Sequence, residues 1–276
     1  MPTRTLGSLN LDTLDDQGVA WTVTDVEGWG ATGSSVSQTA RARRSGSNSG
    51  RKFAQARAMT VHGSVEAPSN FLAAAAIDRL NQAVDLNLTR LTIDEGTGPR
   101  WVDVFKTGDV VPDWINDRAF DYSFAVGSDD WRKFGTEVTD STKLPSTVGG
   151  LTLPHTIPFS INATSVTGQV KLTNPGNERG PVMLRIDGPC AGPVITHVSS
   201  GAQLIFSSSL VLGPGEYLEV DMEKKTAKAN GQSSRSLYIL SRGWSNFDPG
   251  NNTWSFTAAT FNANSKLTVT ARPAWL

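Results

Sequence analysis

Cysteine occurs once in this 276-residue chain, at Cys190, and histidine only three times, at His62, His155 and His197. One thiol excludes an intramolecular disulfide framework and fits folding in a reducing cytosol. Cys190 itself reads as a buried, inert thiol. The histidines lie far apart with no cysteine beside them, so the short, repeated ligand spacing of a metal site is missing and no metal is expected. Excess charge is also missing: the formal net charge is -1, and nothing in the overall balance draws the chain to nucleic acid or to an anionic membrane. Long apolar runs are absent too. The amino terminus, MPTRTLGSLNLDTLDD, has no apolar signal core, and no stretch approaches the length that spans a bilayer. The expectation is a protein that leaves its cell by lysis or as part of a particle.

The linear motifs of common chemistries fail in their context. Gly28, Gly30 and Gly33 in GWGATG match the spacing of a dinucleotide-binding turn. SSVSQTARARRSG follows instead of an apolar-periodic helix, with no acid placed for a ribose, so the string reads as a glycine-rich turn between strands. A nucleophile elbow needs serine between its glycines, and Gly46 to Gly50 has Asn48 there. Glu216, Glu219, Asp221 and Glu223 could supply a glycosidase pair only in the sense that acids exist. Asp15 with Asp16, and Asp129 with Asp130, read as solvated turn acids, short of the oxygen ligands that calcium requires. The chain is therefore expected to be no enzyme, with no catalytic residue and no cofactor.

What is present is β structure. Val19, Trp21 and Val23 alternate, as do residues 101 to 105, and clearest of all are Phe120, Tyr122, Phe124 and Val126 between Asp121, Ser123 and Ala125. One helix is expected after Pro68, capped by Ser69, with Leu72, Ala76, Leu80 and Val84 on one face. Between Ser34 and Arg57 the composition turns to Ser, Gly, Asn and Arg, with Arg41, Arg43, Arg44, Arg51 and Lys52 and no acid. This reads as a long exposed loop and a candidate partner contact.

The last hundred residues are short alternating strands broken by turns. Around Gly213-Pro214-Gly215, Asn230-Gly231 and Asp248-Pro249-Gly250 lie Leu218, Val220 and Met222, then Trp254 to Phe256, then Leu267 to Val269. Val170, Leu172, Val182, Leu184, Ile186, residues 204 to 206 and residues 237 to 240 add further strands. Such spacing fits an antiparallel sandwich. Residues 140 to 158 carry three prolines and a Gly pair, and the domain boundary is placed there, giving domains 1–147 and 148–276. Of the eight tryptophans, most should be packed in cores, with Trp114 and Trp275 the candidates for partner contact. A carbohydrate-binding module that recognises host cell-wall glycans is the alternative that tryptophan content and sandwich architecture suggest.

The ordered set GVAWTVTDVEGWG, RAMTVHGSVEAPS, FDYSFAVGSDDWRKFG, GGLTLPHTIPF, NPGNERGPVMLRIDGPC, LGPGEYLEVDM and FDPGNN resembles the distal tail proteins of long-tailed phages, in particular minor tail proteins of phages infecting actinobacteria. Asp129-Asp130 stands where many relatives have Asp-Pro, and Leu153 where an aromatic is common. The resemblance implies a mainly β chain: an N-terminal split β-barrel-like domain with one helix, then a C-terminal galectin-like β-sandwich that lacks the sugar-holding set of true galectins. It also implies a hexameric ring at the virion tail tip, assembled in the host cytoplasm. Its partners would be the major tail tube protein, the tail hub, the tape measure protein and receptor-binding proteins, with phage DNA passing through the lumen without specific binding.

Overall fold

The computed structural model describes residues 3–148, 164–260 and 262–276. It divides into two compact units, the first ending at Gly135 and the second running from Thr136 to Trp275.

The first unit contains β1 (Thr3–Leu6), β2 (Leu9–Asn10), β3 (Ala20–Glu27), β4 (Ser34–Ala40), β5 (Ser47–Ala54), β6 (Arg57–Glu66), α1 (Asn70–Ala83), β7 (Thr89–Asp94), β8 (Pro99–Asn116) and β9 (Ala119–Ser128). Strands β2-β1-β7-β8-β9-β6-β3 follow one another in that order. The pivot is β8, 18 residues long. Residues 99 to 104 pair with β7, and from Phe105 onward it pairs with β9 across a register shift between Lys106 and Val110. Such irregularities bend a strand and let it turn from one sheet into another.

Alternation along these strands sends Val23, Val61, Val65, Phe120, Tyr122 and Phe124 inward to a single core, joined by Ala73, Ala76 and Leu80 of α1. The helix begins as its sequence dictates: Ser69 is extended, and its hydroxyl accepts from the Leu72 N–H at 3.3 Å. That bond satisfies one of the amides the first turn leaves unpaired.

The second unit is two antiparallel sheets around a second core. One carries Val138–Lys143, Lys266–Ala271, Val182–Asp187, Tyr217–Asp221, Thr226–Ala229 and Ser233–Ser234, in that spatial order. The other carries Gln169–Asn174, Gly250–Ala258, Pro193–His197, Ala202–Phe206 and Ile239–Arg242. Leu184, Val220, Val269, Trp254 and Phe256 fill the space between. The chain is thus mainly β with a sandwich, as expected.

Three expectations differ. The unit boundary falls at residue 135, twelve residues before 147, because Val138–Lys143 pairs along its whole length with Lys266–Ala271 and so belongs to the second core. The loop expected over residues 34–57 is an antiparallel hairpin, β4 against β5, with Ser34 opposite Ala54 and Ala40 opposite Ser47. Leu237 lies in a single 3-10 turn, Ser236–Tyr238, and is exposed, with the strand starting at Ile239. The proline-rich linker from Gly149 to Pro158, with Leu153 and His155, lies outside the described residues.

Candidate assembly surfaces

The register of β3, β6, β9 and β8 sorts their side chains onto two faces. Trp21, Val65, Phe120 and Trp114 form one row, and Val23, Gly63, Tyr122 and Pro112 another, both on the core side. The intervening rows face outward: Thr22, Ser64, Asp121 and Asp113, then Asp25, His62, Ser123 and Val111. Outward positions also include Glu27 with Thr60 and Ala125, and Glu66 with Ala119 and Asn116. All five carboxylates of this face, Asp25, Glu27, Glu66, Asp113 and Asp121, are exposed, and no Lys or Arg sits in these rows. Only His62 is basic there, with Nε2 4.0 Å from a Glu27 oxygen. The remaining positions are Ser, Thr, Ala, Asn116 and Val111.

The two long edges of this four-stranded sheet differ. Along the first half of β3 the edge is closed by residues 12 to 15: Trp21 N–H donates to the Thr13 carbonyl at 2.8 Å and Val23 N–H to the Asp12 carboxylate at 3.1 Å. Asp15 fixes the same loop. Burial opposes its ionisation, but donors from Val19, Arg79, Gln17 and Trp21 outweigh burial and hold its carboxyl below the usual range. The turn acid expected at Asp15 is therefore a half-buried anchor, whose Arg79 partner, 2.6 Å away, comes from α1. At the opposite edge, residues 107–116 of β8 pair with β9 alone among the described residues.

The GWGATG turn sits where β3 ends. Gly28 has φ +79, and a Cβ there would collide with the Ala58 carbonyl. Arg57, almost fully buried, donates to the Gly28 and Trp29 carbonyls at 2.9 Å, to the Gly30 carbonyl, and to the Trp131 carbonyl at 2.7 Å. Lys133 donates to the same Trp29 carbonyl at 3.0 Å. Burial, with Arg57 and Arg100 nearby, brings the Lys133 ammonium down to about 8, against a smaller pull from Glu95. Five donations converging on carbonyls make this a backbone clamp. Asp130 serves the next turn, accepting from the Arg132 backbone at 2.9 Å and from its guanidinium at 2.9 and 2.7 Å.

From this turn the β4–β5 hairpin projects. Nearly every residue from 34 to 54 is exposed, and none belongs to either core. Arg41, Arg43, Arg44, Arg51 and Lys52 all lie on it. Arg41 Nε donates to Asn48 at 3.1 Å and Arg43 sits in the tip with φ 67. Trp114 lies far along the open edge of β8, 45% exposed and tilted over Phe120 with ring centroids 5.2 Å apart. Trp275 is half-buried. Of the residues singled out by sequence, the arginines lie on the hairpin, Trp114 on the edge of β8 and Trp275 in the second unit; the acidic face has no sequence signal, because its members are scattered along the chain and meet only through strand register.

The second unit holds polar groups in its interior. His197 is buried between Ser200 Oγ at 2.7 Å and Asn252 Oδ1 at 3.1 Å. An amide oxygen only accepts, so Nε2 carries the proton. Cys190 is buried as expected, its thiol pushed up to about 11 by burial.

Residues 175–275 match the model of the siphovirus-type tail component, C-terminal domain. The match is confined to the second unit. No curated protein matches it. Among solved structures, the Dit protein of phage SPP1, described as a paradigm of the hub adsorption apparatus in phages infecting Gram-positive bacteria, superposes over 100% of both chains with a TM-score of 0.70 at 12% identity. The chain thus shares the fold of that protein over its aligned length. A chain of the phage P2 baseplate in its activated conformation with Ca aligns over 98% of both chains, with a TM-score of 0.49 and 8% identity.

Proposed function

We propose that this chain is a distal tail protein of a long-tailed phage. Its copies close into a six-membered ring at the tail tip, joining the tail tube to the hub and receptor-binding apparatus. The observation that carries this reading is the Dit fold over the whole chain together with the tail-component family of its second unit. A heterologous contact that closes by rotation gives a ring whose protomers need no catalytic group.

The first unit carries the ring contacts and turns the acidic face of β3, β6, β9 and β8 to a channel wide enough for duplex DNA. Carboxylates there repel the phosphate backbone and no Lys or Arg in those rows attracts it, so DNA passes without being held. The second unit, galectin-like, serves as a docking surface for other tail proteins. None of its tryptophans, Trp244, Trp254 and Trp275, is exposed, which favours docking over stacking on sugars.

Negative-stain electron microscopy of the purified chain, alone and with tube and hub proteins, tests the reading. Closed six-fold rings are expected; monomers under every condition would overturn it. A glycan that quenches tryptophan fluorescence would bring the carbohydrate-binding module forward.

A further inference from the structure

The hairpin and the open edge of β8 complement each other. Residues 34–54 hold five cations and no acid. Two-stranded hairpins standing alone in water are marginal at best, and this one exposes Phe53 to 61%. Residues 107–117 hold Asp109, Asp113 and Asp117 and no cation, and expose Val111 and Ile115 to 53% and 64%. Pro112, the aspartates and two register shifts keep another strand from simply extending this edge, so what it offers a partner is its side chains. Each surface therefore combines unpaired strand, exposed apolar side chains and charge of one sign, and the signs are opposite.

Within one copy the two cannot meet along the sheet. The hairpin leaves from the β3 and β6 side, and the open edge lies on β8, across the order β8-β9-β6-β3. Three interstrand spacings separate the outer strands, about 14 Å. Donor and acceptor on opposite edges of one sheet make a head-to-tail contact, the kind that closes a ring.

We infer that the basic β4–β5 hairpin of one copy docks on the acidic, open edge of β8 in a second copy of this chain. Arg43 and Arg44 lie toward Asp109 and Asp113, and Phe53 is covered by the apolar side chains of that edge. The inference rests on the ring reading but names its contact. A duplex DNA backbone would also attract the arginines, yet it offers nothing to Phe53.

Cross-linking in the full-length chain tests it. One copy carries Ser49→Cys and another Val111→Cys; Cys190, buried, reacts slowly. A short bis-maleimide should join the two copies when they are mixed and join neither variant to itself. Separately, Arg43→Glu with Arg44→Glu should weaken association about tenfold or more, as should Asp109→Lys with Asp113→Lys, and the four changes together should restore it. Absence of the mixed cross-link overturns the contact whether or not rings form. Undiminished rings in the arginine variant overturn the contact and leave the ring reading standing. Loss of duplex-DNA retardation with rings intact would make DNA the occupant and sink the proposal. A wild-type chain that cross-links in this way but never closes a ring would sink the ring reading alone.

Discussion

Asp113 and Asp121 stand directly opposite each other across the antiparallel pair β8 and β9, both exposed, with Ser64 as the next residue in the row. Like charges placed so destabilise a sheet, and unlike partners would favour it by about 0.2–1 kcal/mol. Asp121→Asn should therefore raise the denaturant midpoint of the first unit by an amount worth about 0.5 kcal/mol. The gain should shrink in high salt. A loss of stability would show that the pair is not repulsive in the protein.

Lys133 gives the first unit an alkaline signature. Its ammonium titrates at about 8 when folded against 10.5 when free. Between these values the unfolded chain binds more protons, so stability rises with pH. The penalty is fully present below about 8 and is relieved only as pH passes 10.5, on the order of 2 kcal/mol once partial solvent screening is allowed for. Above pH 10 Tyr122 opposes the trend, because burial pushes its phenol up and keeps it neutral while the unfolded one ionises. Lys133→Met should flatten the rise between pH 8 and 10 in urea titrations; an unchanged slope would remove Lys133 as its source.

Gly63 lies in β6 on the core side, where a Cβ would run into the Thr22 carbonyl and the Tyr122 ring and hydroxyl. The tyrosine is buried and walled in, so neither neighbour can yield cheaply. Gly63→Ala should cost about 3 kcal/mol, read as a lowered melting temperature of the first unit. Gly30→Ala, where a Cβ meets nothing within 4 Å, serves as the matched control and should be close to neutral.

Asn252 ties the turn before its strand in the second unit. Its amide donates to the Asp248 and Gly250 carbonyls at 2.7 and 2.9 Å, and its oxygen accepts from Asp248 N–H at 3.0 Å and faces His197. Asn252→Ala strands buried polar groups, each worth about 1–3 kcal/mol, and should destabilise the second unit by about 3 kcal/mol. Asn252→Asp should be worse, because a carboxylate oxygen would then face two carbonyls. An unfolding transition unchanged in either variant would show that the network is dispensable.

Much of this architecture is legible in the chain itself. Period-two runs such as Phe120, Tyr122, Phe124 and Val126 fix both the strand and its buried face, because side chains alternate whatever the neighbour is. Ser69 and the Ala-rich segment after it fix the helix for reasons local to one turn. The hairpin is not legible in sequence because Ser, Gly and Arg carry no apolar alternation, although its pairing needs only backbone groups. The short strands Pro193–His197 and Thr226–Ala229 hold too few apolar residues to stand out from their turns.

The sequence by itself determined the β class, the helix after Pro68, the two cores and the basic character of residues 34–54, all of which depend on residues adjacent or periodic in the chain. Tertiary structure alone decided the rest. Strand register placed Asp25, Glu27, Glu66, Asp113 and Asp121 on one face, and it left the edge of β8 open while residues 12 to 15 closed part of β3. Pairing between Val138–Lys143 and Lys266–Ala271 moved the unit boundary to residue 135. Contacts between residues far apart in sequence leave no periodic trace, because they are selected by the packing of whole sheets.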